Sequence, residues 1–230
     1  MHYNFLFNGC SFTAGAELEG PNKDLEHRIT HRFSHLVAEH YNKTYDNISQ
    51  SGVSNDWIIE STVGWFEEGN TCDVAVIQFT DKSRTIWYDQ NNKTRHNFGI
   101  RKSKTYLHYN LNSLYYKLFY SEILGTQNYY KNLFFMSQYL KNKSIKKIIF
   151  LTINRNLPED IFGWARYYKE PKIKSVSDLI GISGNKNLSI IDNENYCRFY
   201  GHNTITGGHP SEIGHQKIAQ YIIDTIGTFQ

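Results

Sequence analysis

The chain has 230 residues, 40% of them hydrophobic and 20% charged, a length that suits one compact domain and a balance that excludes a disordered polar polymer. Its formal net charge is only +3, and Lys and Arg are dispersed among acids apart from the Lys141 to Lys147 stretch, so no nucleic-acid partner is expected. Cys10, Cys72 and Cys197 have no paired spacing, which indicates neither a disulfide framework nor a Cys-based zinc site.

No window reaches the roughly 18 uninterrupted apolar residues of a membrane span, and the first residues lack a basic stretch followed by a long apolar one. A soluble, unsecreted chain without membrane contact is expected. The excess of Asn, Lys, Tyr, Ile and Phe over Ala, Arg and Pro fits an AT-rich genome, phages among the sources, so the expected location is the cytoplasm or a virion.

Short β-type runs alternate with segments of helical period, without an internal repeat, and this order predicts α/β layering. Tyr3 to Asn8 reads as a buried strand breaking at Gly9. Asp24 to Tyr41 reads as one helix, with Leu25, Ile29, Phe33, Leu36, Val37 and Tyr41 along one face. A short strand over Tyr45 to Ser49 follows, then a helix capped by Ser54 or Asn55 and running to about Glu68.

Asp73 to Phe79 and Lys146 to Ile153 are continuous β-branched runs, the pattern of strands covered on both faces of a parallel sheet. A helix that includes Leu133, Phe134, Met136 and Leu140 precedes the second of them. Asn187 to Asp192 supplies a last strand and Ser211 to Phe229 a closing helix. Two stretches, Thr85 to Gln127 and Asn154 to Lys186, do not fit the alternation and read as insertions. In and just after the first, Tyr106, Tyr109, Tyr115, Tyr116, Tyr120, Tyr129 and Tyr130 either line a surface for a ligand or a protein assembly partner, or belong to a partly buried amphipathic helix. The second reading is the more economical.

Asn8-Gly9-Cys10-Ser11-Phe12 directly follows a predicted strand, where a sharp turn exposes a side-chain oxygen at the carboxyl edge of the sheet. Ser11 there serves as a nucleophile if a base takes its proton and the turn amide helps hold an oxyanion, or as a structural cap of the next helix. The candidate base is His209, in Gly207-Gly208-His209-Pro210-Ser211-Glu212, where proline fits a helix start and the loop is short. A lone histidine is also commonly a satisfied core or surface residue.

The strand leading to Gly9-x-Ser11-Phe12, the His209-Pro210 pair before the last helix and two blocks between them resemble the SGNH/GDSL hydrolase superfamily, in the same order. The resemblance implies a three-layer α/β/α sandwich around a central, mainly parallel five-stranded sheet, spanning 1–230 as one domain with insertions at about 85–127 and 154–186. It implies Ser11 as nucleophile, with its own amide in the oxyanion hole, and His209 as base. Asn47 to Gly52 has the spacing of the family's second block, so Gly52 corresponds to the residue that gives a second amide; glycine suits a close approach or a special turn.

Two departures fall on the remaining blocks. Gln78-Phe79-Thr80-Asp81 stands where the family has Gly-x-Asn-Asp, so Thr80 replaces the oxyanion asparagine, although Arg84 follows at a spacing some members share. Thr206 stands three residues before His209, where the family has the orienting aspartate. Thr206, Asp81 and Glu212 are the candidates for the acid or orienting group.

The resemblance implies an esterase that needs no cofactor or metal and acts on an O-acetylated carbohydrate or a short-chain ester. The alternative is an impaired SGNH-like module with a binding or structural role, as in a phage particle. A metal-dependent hydrolase built on His202, His209 and His215 has no recognised ligand spacing.

Overall fold

The computed structural model describes residues 1–18, 24–89, 94–98, 113–153, 184–191 and 209–228. Five strands form one parallel sheet: β1 (His2–Asn8), β2 (Tyr45–Asn47), β3 (Thr71–Phe79), β6 (Lys147–Thr152) and β7 (Leu188–Ile191), in the order β2-β1-β3-β6-β7. Phe5 to Phe7, Val74 to Ile77 and Ile148 to Leu151 are at most 2% exposed. That burial is why these strands read as unbroken apolar runs, since a parallel strand is covered on both faces.

The described helices are α1 (Ser11–Ala14), α2 (Leu25–His31), α3 (Phe33–Tyr41), α4 (Asn55–Glu67), α5 (113–118), α6 (Glu122–Lys141) and α7 (Glu212–Ile226). α2 and α3 pack with α7, and α4 packs with α6. The result is the expected three-layer α/β/α arrangement. A separate antiparallel hairpin, β4 (Thr85–Asp89) with β5 (Thr94–Phe98), leaves the main sheet after β3. Among the described residues no helix is long and apolar enough to cross a membrane.

Two elements differ from the sequence reading. The helix expected over Asp24 to Tyr41 is broken at Arg32, whose extended backbone (φ −75°, ψ 147°) ends α2 and begins α3. A break frees backbone N–H groups, and that of Phe33 is taken by Nδ1 of buried His215 at 3.1 Å. Tertiary contact thus overrides a continuous helical pattern, and Leu25 ends up 54% exposed.

The helix before β6 begins at Glu122, inside the stretch read as an insertion, with Ser121 capping Leu124 N–H. Its buried face includes Tyr129 and Tyr130 as well as Leu133, Met136 and Leu140, while Phe134 is 38% exposed. Two of the tyrosines are therefore core residues. Tyr115 and Tyr120 line a polar cleft with Asn55, Asp56 and Arg84, and Tyr116 donates its hydroxyl to the Ser83 carbonyl at 2.6 Å. Tyr106, Tyr109 and nearly all of the second insertion lie outside the described residues.

Candidate active site

The strand order β2-β1-β3 places a topological switch between β1 and β3, and open α/β sheets bind ligands at the carboxyl ends of the strands at such a point. Ser11 follows β1 and Thr80 follows β3.

The turn after β1 is built by contacts that leave it little freedom. Asn8 donates to Ile58 O at 3.0 Å and to Ser61 Oγ and Thr62 Oγ1 at 2.8 Å, while its Oδ1 accepts from Gly9 N–H at 2.8 Å. Gly9 has no room for a side chain: an added Cβ would lie 2.4 Å from Thr13 Oγ1 and 2.8 Å from Gln78 Cβ. Gln78 accepts from Thr13 Oγ1 at 2.8 Å and donates to Cys10 Sγ at 3.3 Å. Ser11 is the first residue of α1, 5% exposed, with its hydroxyl 3.9 Å from Cys10 Sγ. At this position a backbone N–H has no acceptor within the helix.

The second block leans on this turn. Gln50 N–H donates to Gly9 O at 3.2 Å, and Asn47 donates to Thr13 O at 3.2 Å and Ser34 Oγ at 2.7 Å. Gly52 has φ +83° with open space around its Cβ direction, so glycine answers a backbone requirement there. Thr80 is fully buried; Asn55 grips its backbone from both sides, accepting from its N–H at 2.7 Å and donating to its carbonyl at 3.1 Å. Ser54 is therefore the cap of α4, and the amide of Asn55 is spent on Thr80. Arg84 donates to Val53 O at 3.2 Å, linking the loops after β2 and β3.

The chain's far end reaches the same turn. The His209 ring packs edge-on against Phe12, the neighbour of Ser11, with centroids 5.4 Å apart. Its Nδ1 lies 3.1 Å from Oε1 of Glu17, and the two side chains are 12% and 27% exposed. The oxygen sits off the ring N–H direction, so the two groups lie at hydrogen-bonding distance without forming an aligned hydrogen bond. Unliganded catalytic pairs are commonly loose in this way.

Glu17 was not among the sequence candidates. It lies in the turn after α1 with φ +73°, a left-handed conformation that costs a non-glycine residue about 1–3 kcal/mol. The sequence offers no motif for it: its value depends on the position of a histidine 192 residues away in the chain, and only the fold supplies that. Asp81 turns instead to the N–H and hydroxyl of Ser83. Glu212 turns to His27, with Oε1 2.6 Å from Nε2. Thr206 and His202 lie outside the described residues, as does Cys197; Cys10 and Cys72 are buried free thiols.

His215, six residues after His209, is fully buried on the stacked ring of Phe33. Burial, then the nearby His209 and Arg32, push its pKa down to about 3. With Nδ1 accepting from Phe33, its second nitrogen carries the proton and finds no acceptor among the described residues. It is a structural histidine.

A doubly covered parallel sheet of this order is similar in fold to the SGNH/GDSL hydrolases. Solved structures agree on the fold. The chain aligns over 95% of its length with 97% of a protein assigned to the G-D-S-L lipolytic family from Desulfitobacterium hafniense, at a TM-score of 0.53 and 9% identity. A carbohydrate esterase whose active site is described as having catalytic and non-catalytic binding functions matches 99% of this chain over 69% of its own, at 0.55 and 15% identity. An acetyl xylan esterase variant from Geobacillus stearothermophilus matches 98% over 94% of its own, at 0.51 and 16% identity. No protein-family model matches the sequence, and a search of curated proteins finds no relative.

Proposed function

We propose that the protein is a serine esterase of SGNH type in which Glu17 takes the place of the family's aspartate. Ser11 attacks the acyl carbon while His209 takes its proton, the alcohol leaves with that proton, and water repeats the sequence to release the acid. The amides of Ser11 and Gly52, with the Thr80 hydroxyl, hold the oxyanion. The observation that carries this reading is the Glu17 carboxylate at 3.1 Å from Nδ1 of His209. A carboxylate at Nδ1 fixes the tautomer that leaves Nε2 as a base and stabilises the imidazolium once formed. Placing an acid there at the expense of backbone strain supports a working site over an eroded one.

Carbohydrate esterases recur among the structural neighbours, one of them in complex with cellohexaose, and the cleft lined by Arg84, Asn55 and Asp56 also holds Tyr115, Tyr120 and Asn128. An O-acetylated carbohydrate or another short-chain ester suits such a surround better than a lipid.

The test is labelling of the folded chain with a fluorophosphonate, together with hydrolysis of p-nitrophenyl acetate. Wild type is expected to label and turn over, and Ser11→Ala to do neither. Folded wild type that takes no label and cleaves no ester would instead indicate the non-catalytic module, with a binding or structural role such as assembly into a phage particle.

A further inference from the structure

A second cluster of ionisable side chains lies where α2 meets the start of α7. His27 and His31 are four residues apart on α2 and so share one face of the helix. Their rings stack with centroids 3.9 Å apart and planes 20° from parallel. Glu212, the first residue of α7, closes against them with Oε1 at 2.6 Å from Nε2 of His27. One ligand atom from each of the three residues lies within 4.8 Å of the others.

The tautomer of His31 is set by its own helix. Its Nδ1 is 2.9 Å from the His27 carbonyl, so Nδ1–H donates there and the free lone pair is left on Nε2. A backbone carbonyl holding one ring N–H is the usual support of a metal-ligating imidazole. Two neutral imidazoles and a carboxylate together serve a divalent cation.

We propose that His27, His31 and Glu212 form a binding site for a divalent transition metal of the zinc class. Two imidazoles and one carboxylate are an accepted zinc ligand set, with a fourth position left for water. At metal–ligand distances of about 2.0–2.1 Å, donors sit about 3.3 Å apart; the close His27–Glu212 pair opens slightly and the widest pair closes. The half-exposed side chains permit this, at 35% for His27 and 48% for Glu212. The bound ion clips α2 to α7 within three residues of His209, so it steadies the segment that carries the proposed base. It has no part in the acyl chemistry and does not depend on it.

The full-length chain, stripped with a chelator and dialysed, is titrated with zinc chloride by calorimetry, and cobalt(II) is added separately to read its visible absorption. Wild type and Ser11→Ala are both expected to bind one equivalent, to gain a cobalt band of low coordination number and to melt at a higher temperature with zinc. His31→Ala and Glu212→Gln, each checked for fold by circular dichroism, lose at least about 100-fold in affinity, while His40→Ala on α3 binds as wild type. Wild type that binds no zinc, or a His31→Ala or Glu212→Gln variant that binds it undiminished, overturns the proposal. Neither result touches the esterase reading, because Ser11→Ala reports zinc binding without activity.

Discussion

Around Ser11 the polar groups are answered by the elements that make the fold. Asn8 reaches α4, Gln78 reaches across from β3, and Asn47 reaches α1 and α3. Around His209 the described residues supply two contacts, the Phe12 ring packed edge-on and the off-line carboxylate of Glu17, a residue with positive φ. The proposed nucleophile is thus preorganised by the sheet itself, whereas the proposed base faces a carboxylate from a turn residue with positive φ. Changes on the first side should cost stability and activity together; changes on the second should separate them.

The largest effect is expected at Glu17. Glu17→Gln keeps the shape but removes the charge that stabilises imidazolium, so kcat on p-nitrophenyl acetate should fall by up to about four orders of magnitude, as for loss of the acid in other serine triads. Stability read from urea unfolding should stay within about 0.5 kcal/mol of wild type, since Gln keeps the shape of a side chain that is partly exposed. A Glu17→Gln enzyme with near-normal kcat would remove the acid from the mechanism.

Gly9→Ala tests the other side. The added methyl would meet Thr13 Oγ1 and Gln78 at less than 3 Å, with Gln78 itself held by two bonds. Overpacking of that kind costs roughly 2–3 kcal/mol, read as a lower urea midpoint, and activity falls with it because Ser11 moves. An unchanged midpoint would show that the turn is looser than its contacts imply.

A smaller effect, dependent on pH, comes from His215. In the unfolded chain it titrates near the ordinary histidine value of about 6.5; in the fold its pKa is about 3, because of burial first and the charges of His209 and Arg32 second. Above pH 6.5 neither state binds the proton and stability is flat. Below it the unfolded chain takes up a proton that the folded one refuses, so stability declines toward pH 3, by about 2 kcal/mol between pH 7 and pH 5. His215→Asn, whose Oδ1 replaces Nδ1 as acceptor for Phe33 N–H, should flatten that part of the curve. If wild type shows no slope between pH 7 and pH 5, or the variant keeps it, His215 is not the group responsible.

The sheet was legible in the sequence because buried parallel strands must be apolar throughout, and β1, β3 and β6 lie within two residues of the runs that announced them. The turn at Gly9 was legible because glycine and serine follow a strand there. What was not legible depends on contacts distant in sequence. Arg32 breaks a good helical pattern because His215, on the last helix, accepts the N–H that the break exposes. Glu17 looks like any surface glutamate until His209 is laid beside it. Asp81 and Glu212 were nearer to familiar motif positions, yet a serine two residues on and a histidine on α2 claim them.

The smallest expected change in stability is the sharpest division between the two sides. Glu17 adopts φ +73° although it has a Cβ, and the left-handed region costs such a residue about 1–2 kcal/mol relative to glycine. Glu17→Gly removes that strain together with the carboxylate. Against it stand the entropy glycine adds to the unfolded chain, about 0.5–1 kcal/mol, and loss of the partly buried contact with His209, about 1 kcal/mol. The opposing contributions nearly cancel, so the urea midpoint should match or slightly exceed that of wild type while ester turnover falls as far as in Glu17→Gln. A variant that is clearly less stable would mean that the glutamate serves the fold, and that the strain at residue 17 is not held for the sake of His209.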